Sequence, residues 1–209
     1  LTEALTIART HCGPVEIWVA AGTYLPDFSV PEWRASFRPT DNLTILGGFA
    51  GWEEVAEQRD PQSNPTILSG DRYGNDDAAD PDSILDNAFR VVVATGDRGG
   101  GVIDGVTISG GVARARNYAG WMLTSGCPYP GPYSMGAAVT VADGEVTLID
   151  CTVSGCGAGY GLAAAITGNG QLRIRNLRLL DDQLSNGCQQ NRSQVYAGGV
   201  DSILARAAE

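Results

Sequence analysis

Two aspartates in this chain stand in a repeated apolar phrase, and paired carboxylates are the groups that hydrolysis of a glycosidic bond requires. Asp104 lies in "GVIDGVTISGG" (101–111) and Asp150 in "EVTLIDCTVSGC" (145–156). Such hydrolysis uses one carboxyl as acid and a second as base or nucleophile. A third version of the phrase, "QLRIRNLRLLDD" (171–182), has Asn176 where the others have the acid. An amide does not do a catalytic carboxylate's work, whereas either side chain can hydrogen-bond the backbone of a turn. The recurrence therefore points to a polar ladder of Asp104, Asp150 and Asn176 at a corner, each group held by turn backbone. The third phrase also alternates Leu172 and Ile174 with Arg173 and Arg175, so the two arginines share a face, with Arg178 following. Arginines so placed can hold an acidic sugar or pair with neighbouring acids. An enzymatic reading has to use Asp104, Asp150, Arg173 and Arg175.

The segment "SGDRYGNDDAADPDS" (69–83) gathers Asp71, Asn75, Asp76, Asp77, Asp80 and Asp82. Calcium is a hard cation that takes oxygen ligands, and Asp71, Asn75 and Asp77 have the alternate spacing of a ligand loop. The pattern is not an EF-hand, because the glycine and the closing glutamate stand at other places. Its plain alternative is a solvated acidic turn. A second segment, "ARARNYAGWMLTSGCPYPGPYSMG" (113–136), carries Tyr118, Trp121, Tyr129 and Tyr133 among glycines and prolines. Exposed aromatics stack on sugar rings or anchor a protein partner; turned inward, they cover a wall or pack around Cys127. His11 is the one histidine, so triad and multi-histidine metal chemistry lack their parts.

Short strands must carry these residues. "LTEALTIART" (1–10) spaces Leu1, Ala4, Leu5 and Ala8 as one helical stripe, with Thr2 as its expected N-cap. After Pro14 come β-rich phrases broken by Gly, Asn and Asp, among them "VEIWVAAGTY" (15–24), "NLTILGGF" (42–49), "PTILSGD" (65–71) and "FRVVVATGD" (89–97). Ile45 to Ile67 is 22 residues and Ile67 to Val92 is 25, while Leu148 to Ile174 and Asp150 to Asn176 are both 26. A repeat of that length, holding two or three strands, is too short for a helical hairpin and fits one turn of a parallel β-solenoid. Residues at equal positions of successive coils then stack about 4.8 Å apart. Leu148 is expected over Ile174 in the core, and Asp150 beside Asn176.

Composition narrows the partners. The 209 residues carry 24 acids and 14 basic residues, a formal net charge of −10, and every basic residue is an arginine. Such a surface repels phosphate backbones and anionic membranes, which argues against nucleic acid as a partner. No apolar run approaches a membrane span. The cysteines, Cys12, Cys127, Cys151, Cys156 and Cys188, form no CxxC pair, so they read as small internal fillers or as one or two disulfides with a thiol left over. The sequence starts at Leu1 without a basic or apolar leader, which suggests a processed or excised piece of something longer.

"IWVAAGTYLP", then "LTILGGFAGWEE…QRDPQSNPTILSGD", then "FRVVVATG…GGVIDGVTISGG" resembles the bacterial right-handed parallel β-helix proteins of the pectin-lyase-like, polymorphic-outer-membrane-protein-like group. The resemblance covers about residues 13–182 and is most specific over 15–111. It implies an all-β, right-handed parallel β-helix with a short N-terminal capping helix, and an extracellular or outer-surface address. It also raises calcium as a cofactor at the 69–83 loop. One domain is expected over 1–209: a helical cap at 1–12, coils over 13–182 with an insertion at 112–135, and an irregular cap or broken edge at 183–209. Many members of the group are parts of adhesins without demonstrated chemistry. The expected function is accordingly a structural and binding module that recognises a glycan or a surface protein, or assembles with its own copies. The alternative is a polysaccharide lyase or glycoside hydrolase of the same group.

Overall fold

Leu5 and Ala8 are the buried residues of helix α1 (Thr2–Ala8), and their stripe, with Leu1 against it, seats the helix on the core. The N-cap falls one residue earlier than expected. It is Leu1, with no side-chain cap, because Thr2 already lies inside the helix. The computed structural model describes residues 1–77, 79–80, 82–113, 136–158 and 164–180, and the backbone of two later strands, 195–198 and 204–206.

After α1 the described elements are strands, with two single 3-10 turns at Ala56–Gln58 and Ser83–Asp86. The strands are β1 (Val15–Ala20), β2 (Gly22–Tyr24), β3 (Leu43–Phe49), β4 (Thr66–Ser69), β5 (Val92–Thr95), β6 (Gly100–Asp104), β7 (Val106–Ser109) and β8 (Val112–Ala113). Then follow β9 (Val139–Ala142), β10 (Glu145–Ser154), β11 (Gly157–Ala158), β12 (Ala164–Thr167), β13 (Gln171–Leu180), β14 (Val195–Gly198) and β15 (Leu204–Arg206). All their pairings are parallel. One ladder runs β1–β3–β6–β10–β13–β15, and a second runs β2–β4–β7 onto the far halves of β10 and β13. A separate sheet has the order β14–β12–β9–β5, and β8 pairs with β11. Among the described residues the fold is predominantly β, with one α-helix.

Parallel register builds the core as columns. Ile17, Ile45, Ile103, Leu148 and Ile174 are successive partners along the first ladder. Ile45, Ile103 and Leu148, in the middle of that column, are essentially sealed from solvent. Leu68, Ile108 and Val153 form a second column, and Val92, Val139 and Ala164 a third. Each fully buried aliphatic side chain contributes about 1.5–3 kcal/mol, which is why the strands need so little else in common. The expected contact of Leu148 with Ile174 is present.

The short spacings near the N-terminus have a different meaning from the one expected. Ile45, Ile67 and Val92 lie on three different ladders, partnered by Ile103, Thr107 and Val139. They therefore do not stack on one another, and 58 residues separate Ile45 from its partner Ile103. Each phrase looks alike because every ladder buries an apolar row, so a repeated phrase does not reveal which ladder it joins. The tail, expected to lose the strand rhythm, carries β14 and β15, which extend two ladders in parallel. The first two residues of the expected insertion are likewise strand β8, and the rest of 112–135 lies outside the described residues.

One corner organises the face where the candidate residues lie. β10 buries Val146 and Leu148 before Asp150 and Cys151 and Val153 after it, so the alternation slips by one residue at Asp150. The slip is made by left-handed backbone: φ is 48° at Asp150 and 58° at Asn176. On the other side of β10, Gly105 takes the same place with φ of 70°, dividing β6 from β7. Gly, Asn and Asp are the residues that enter this region at least cost. At Gly105 the glycine is needed for space as well, since a Cβ there would stand 2.5 Å from Arg59 Nη1 and 2.9 Å from Pro61 Cγ. Asp104 is thereby displaced from the expected ladder: its register partner is Ile149. Matching the phrases by their acids sets them one residue out of step, because the shared feature is the left-handed residue.

Candidate functional site

The outer face of β6, β10 and β13 is where sequence places acids and arginines together, and the strand pleat turns Glu145, Arg173 and Arg175 outward. Arg173 forms an ion pair with Glu145 across the ladder. Arg175 Nη2 lies 3.9 Å from Asp150 Oδ2, and Asn176 Nδ2 donates to Asp150 Oδ1 at 2.7 Å. Arg178 stands opposite Thr152. These side chains are about half exposed or more, so each ion pair is worth at most about 1 kcal/mol.

Asp104 is in a different setting. Its carboxylate Oδ1 is 2.7 Å from Arg59 Nη2, and the two side chains, Arg59 and Asp104, are only 19% and 13% exposed. Arg59 Nη1 also donates to the carbonyls of Gly47 at 3.1 Å and Asp104 at 3.3 Å. The guanidinium thus ties the 56–60 segment to the backbone of β3 and β6. Turn backbone is the expected partner of the Asp104 and Asp150 carboxylates; side chains hold them instead, Arg59 in one case and Asn176 in the other. Sequence does not point to Arg59, because 45 residues separate it from Asp104.

Beneath the corner, Cys151 donates weakly from Sγ to the carbonyls of Ile149 at 3.2 Å and Ile103 at 3.4 Å. Burial pushes this thiol up to about 12, against the pull of neighbouring amides. Cys151 and Cys156 are buried thiols and Cys12 is exposed, in keeping with small internal fillers for the first two.

The acidic loop turns its oxygens on itself. Asp71 Oδ1 accepts the amides of Gly74 at 2.8 Å and Asn75 at 3.3 Å, and Asp77 Oδ1 accepts that of Ala79 at 2.8 Å. Behind it, Asn87 Nδ2 donates to Asp76 Oδ2 at 2.9 Å, while Asn87 Oδ1 and Asp86 Oδ2 are buried and accept no hydrogen bond from the described residues. Among the described residues, no three His, Cys, Asp or Glu side chains converge as metal ligands. Tyr118, Trp121, Tyr129 and Tyr133, with Cys127, lie outside the described residues.

The described residues therefore bring together Asp150, Arg175 and Asn176, and separately Asp104 and Arg59. Neither group leaves a free acid facing a free base. The chain matches no protein-family model, no curated protein and no solved structure. Among the described residues no helix is long and apolar enough to cross a membrane.

Proposed function

We propose that this chain is a right-handed parallel β-helix that works as a secreted or surface binding module and not as an enzyme. The observation that carries this reading is the engagement of both candidate catalytic carboxylates, Asp104 by Arg59 and Asp150 by Asn176. A general acid or nucleophile has to change its proton or its partner at the substrate, and the guanidinium on Asp104 and the amide on Asp150 work against that. The parallel ladders with their stacked columns support the β-helix, and the resemblance of 15–111 to the pectin-lyase-like group supports its hand and its outer-surface address. The ligand in this reading is a glycan or a surface protein, engaged by Tyr118, Trp121, Tyr129 and Tyr133; assembly with further copies is its other form.

Calcium belongs to the same reading as a stabilising ion at the 69–83 loop, through Asp71, Asn75 and Asp77. What supports it is the oxygen-rich sequence and the two unpartnered buried oxygens of Asp86 and Asn87 behind the loop. Its test is a melting curve with calcium and then with chelator. A rise reversed by chelator supports the ion, and indifference to both removes it.

The binding function is tested with a panel of immobilised glycans and extracellular-matrix proteins, comparing the native chain with Trp121→Ala/Tyr129→Ala. Retention on one member of the panel, lost in the double variant at unchanged melting temperature, is the expected result. Equal retention of both proteins would remove the aromatic segment from the binding surface.

A further inference from the structure

Three arginines converge on a groove at the capped end of the fold, in a protein whose net charge is −10. The groove holds about 470 Å³ between α1 and the segment 27–38, and Arg9, Arg34, Arg38 and Asp27 line it with Ser36 and Phe37. None of the three guanidiniums has a carboxylate at ion-pair distance among the described residues. Arg59, Arg72, Arg98, Arg173 and Arg175 each meet an acid, so three arginines without one in a single groove are a local reversal of the protein's charge.

The arginines are held in place by backbone. Phe37 is buried and extends the β5 sheet: its amide donates to Val91 O at 2.7 Å, and its carbonyl accepts from Val93 at 2.9 Å. That fixes Arg38, whose own carbonyl accepts from Arg9 Nη2 at 2.8 Å. Arg34 sits in a turn closed by its amide on Pro31 O at 2.8 Å, with its guanidinium 4.9 Å from the centre of the Trp33 ring. Burial pulls Arg38 below its ordinary value, and the charges of Arg9 and Arg34 add to that. Like charges gathered around a concave, half-buried surface favour whatever anion neutralises them.

We propose that this groove binds a doubly charged oxyanion of the phosphate or sulfate class through Arg9, Arg34 and Arg38. Three guanidinium charges against the one carboxylate of Asp27 leave two positive charges, which a dianion matches. The planar fork of arginine offers paired N–H donors to such oxygens. The volume exceeds that of a bare ion and leaves room for the sugar-sized body of an ester. The site is independent of the aromatic segment and of the binding function proposed above.

The experiment titrates the chain with inorganic phosphate, inorganic sulfate and a hexose monophosphate, each at ionic strength held constant with chloride, and reads binding by calorimetry and by melting temperature. Saturable binding is expected, weakened about tenfold or more by Arg34→Gln or Arg38→Gln. Asp27→Asn is expected to tighten it, a change that a structural role alone would not produce. A preference for the ester marks an esterified ligand, and a preference for the inorganic ions marks the free ion. Arg34 stands in a surface turn, so its variant tests the site even if Arg38→Gln fails to fold. Sulfate and phosphate also stabilise proteins by exclusion from the surface. An equal rise in melting temperature for the native chain and Arg34→Gln, or no saturation by any of the three probes, would overturn the proposal.

Discussion

Asn176 Nδ2 lies 2.7 Å from Asp150 Oδ1, and both residues hold left-handed backbone at the same corner of adjacent strands. The pair does two jobs: it lets the strand turn, and it joins one rung to the next. The two are separable. Asn176→Gly keeps the backbone freedom and loses only the hydrogen bond, whereas Asn176→Ala loses both and should cost about 1–2 kcal/mol more. Urea denaturation of the two variants measures the difference. Equal stability would mean that the left-handed φ carries no cost.

Leu148 sits 1% exposed between Ile103 and Ile174. Leu148→Ala should cost about 2–5 kcal/mol through the cavity it leaves. Leu148→Asp buries a charge without a partner and should abolish the cooperative transition. A cooperative melt for Leu148→Asp would place this residue outside the core.

One step of this column was legible in sequence, the 26 residues from Leu148 to Ile174, where two similar strands follow one another without a long loop. The steps from Ile17 to Ile45, Ile103 and Leu148 have other lengths. The corner was legible as a polar repeat but misaligned by one residue at Asp104, since an acid is conspicuous and a left-handed glycine beside it is not. Assignment of Ile45, Ile67 and Val92 to different ladders was not legible at all: each ladder buries the same kind of residue. Nor were the contacts that decide the site. Arg59 meets Asp104 across 45 residues and Arg9 meets Arg38 across 29, with no local pattern to announce either.

Removing Arg59 leaves Asp104 largely desolvated and unpaired. Arg59→Ala should cost about 2–3 kcal/mol, and Arg59→Ala/Asp104→Asn should recover part of it, since the charge left behind is then gone. A double-mutant cycle by denaturant unfolding gives the coupling. A coupling near zero would reduce this pair to a surface contact.

Cys151 makes stability depend on alkaline pH. Its folded value is raised from 9.0 to about 12, so the unfolded chain ionises first. The contribution is whole below about pH 9 and is lost as pH climbs towards 12. The stability advantage of the native chain over Cys151→Ala should therefore shrink between about pH 9 and pH 12. Peptide mapping after brief alkylation of the folded protein at pH 8 should find Cys12 modified and Cys151 untouched. A rapidly labelled Cys151 would contradict its burial.

The most direct measurement of the central claim is turnover. The native chain, Asp104→Asn and Asp150→Asn are incubated with pectate, alginate and neutral glucans, with and without calcium, and new reducing ends and unsaturated products are quantified. With Asp104 held by Arg59 and Asp150 by Asn176, none of the three proteins should release product above a no-protein control. Product from the native chain that disappears in either variant would contradict the structural role of these carboxylates and make this face an active site.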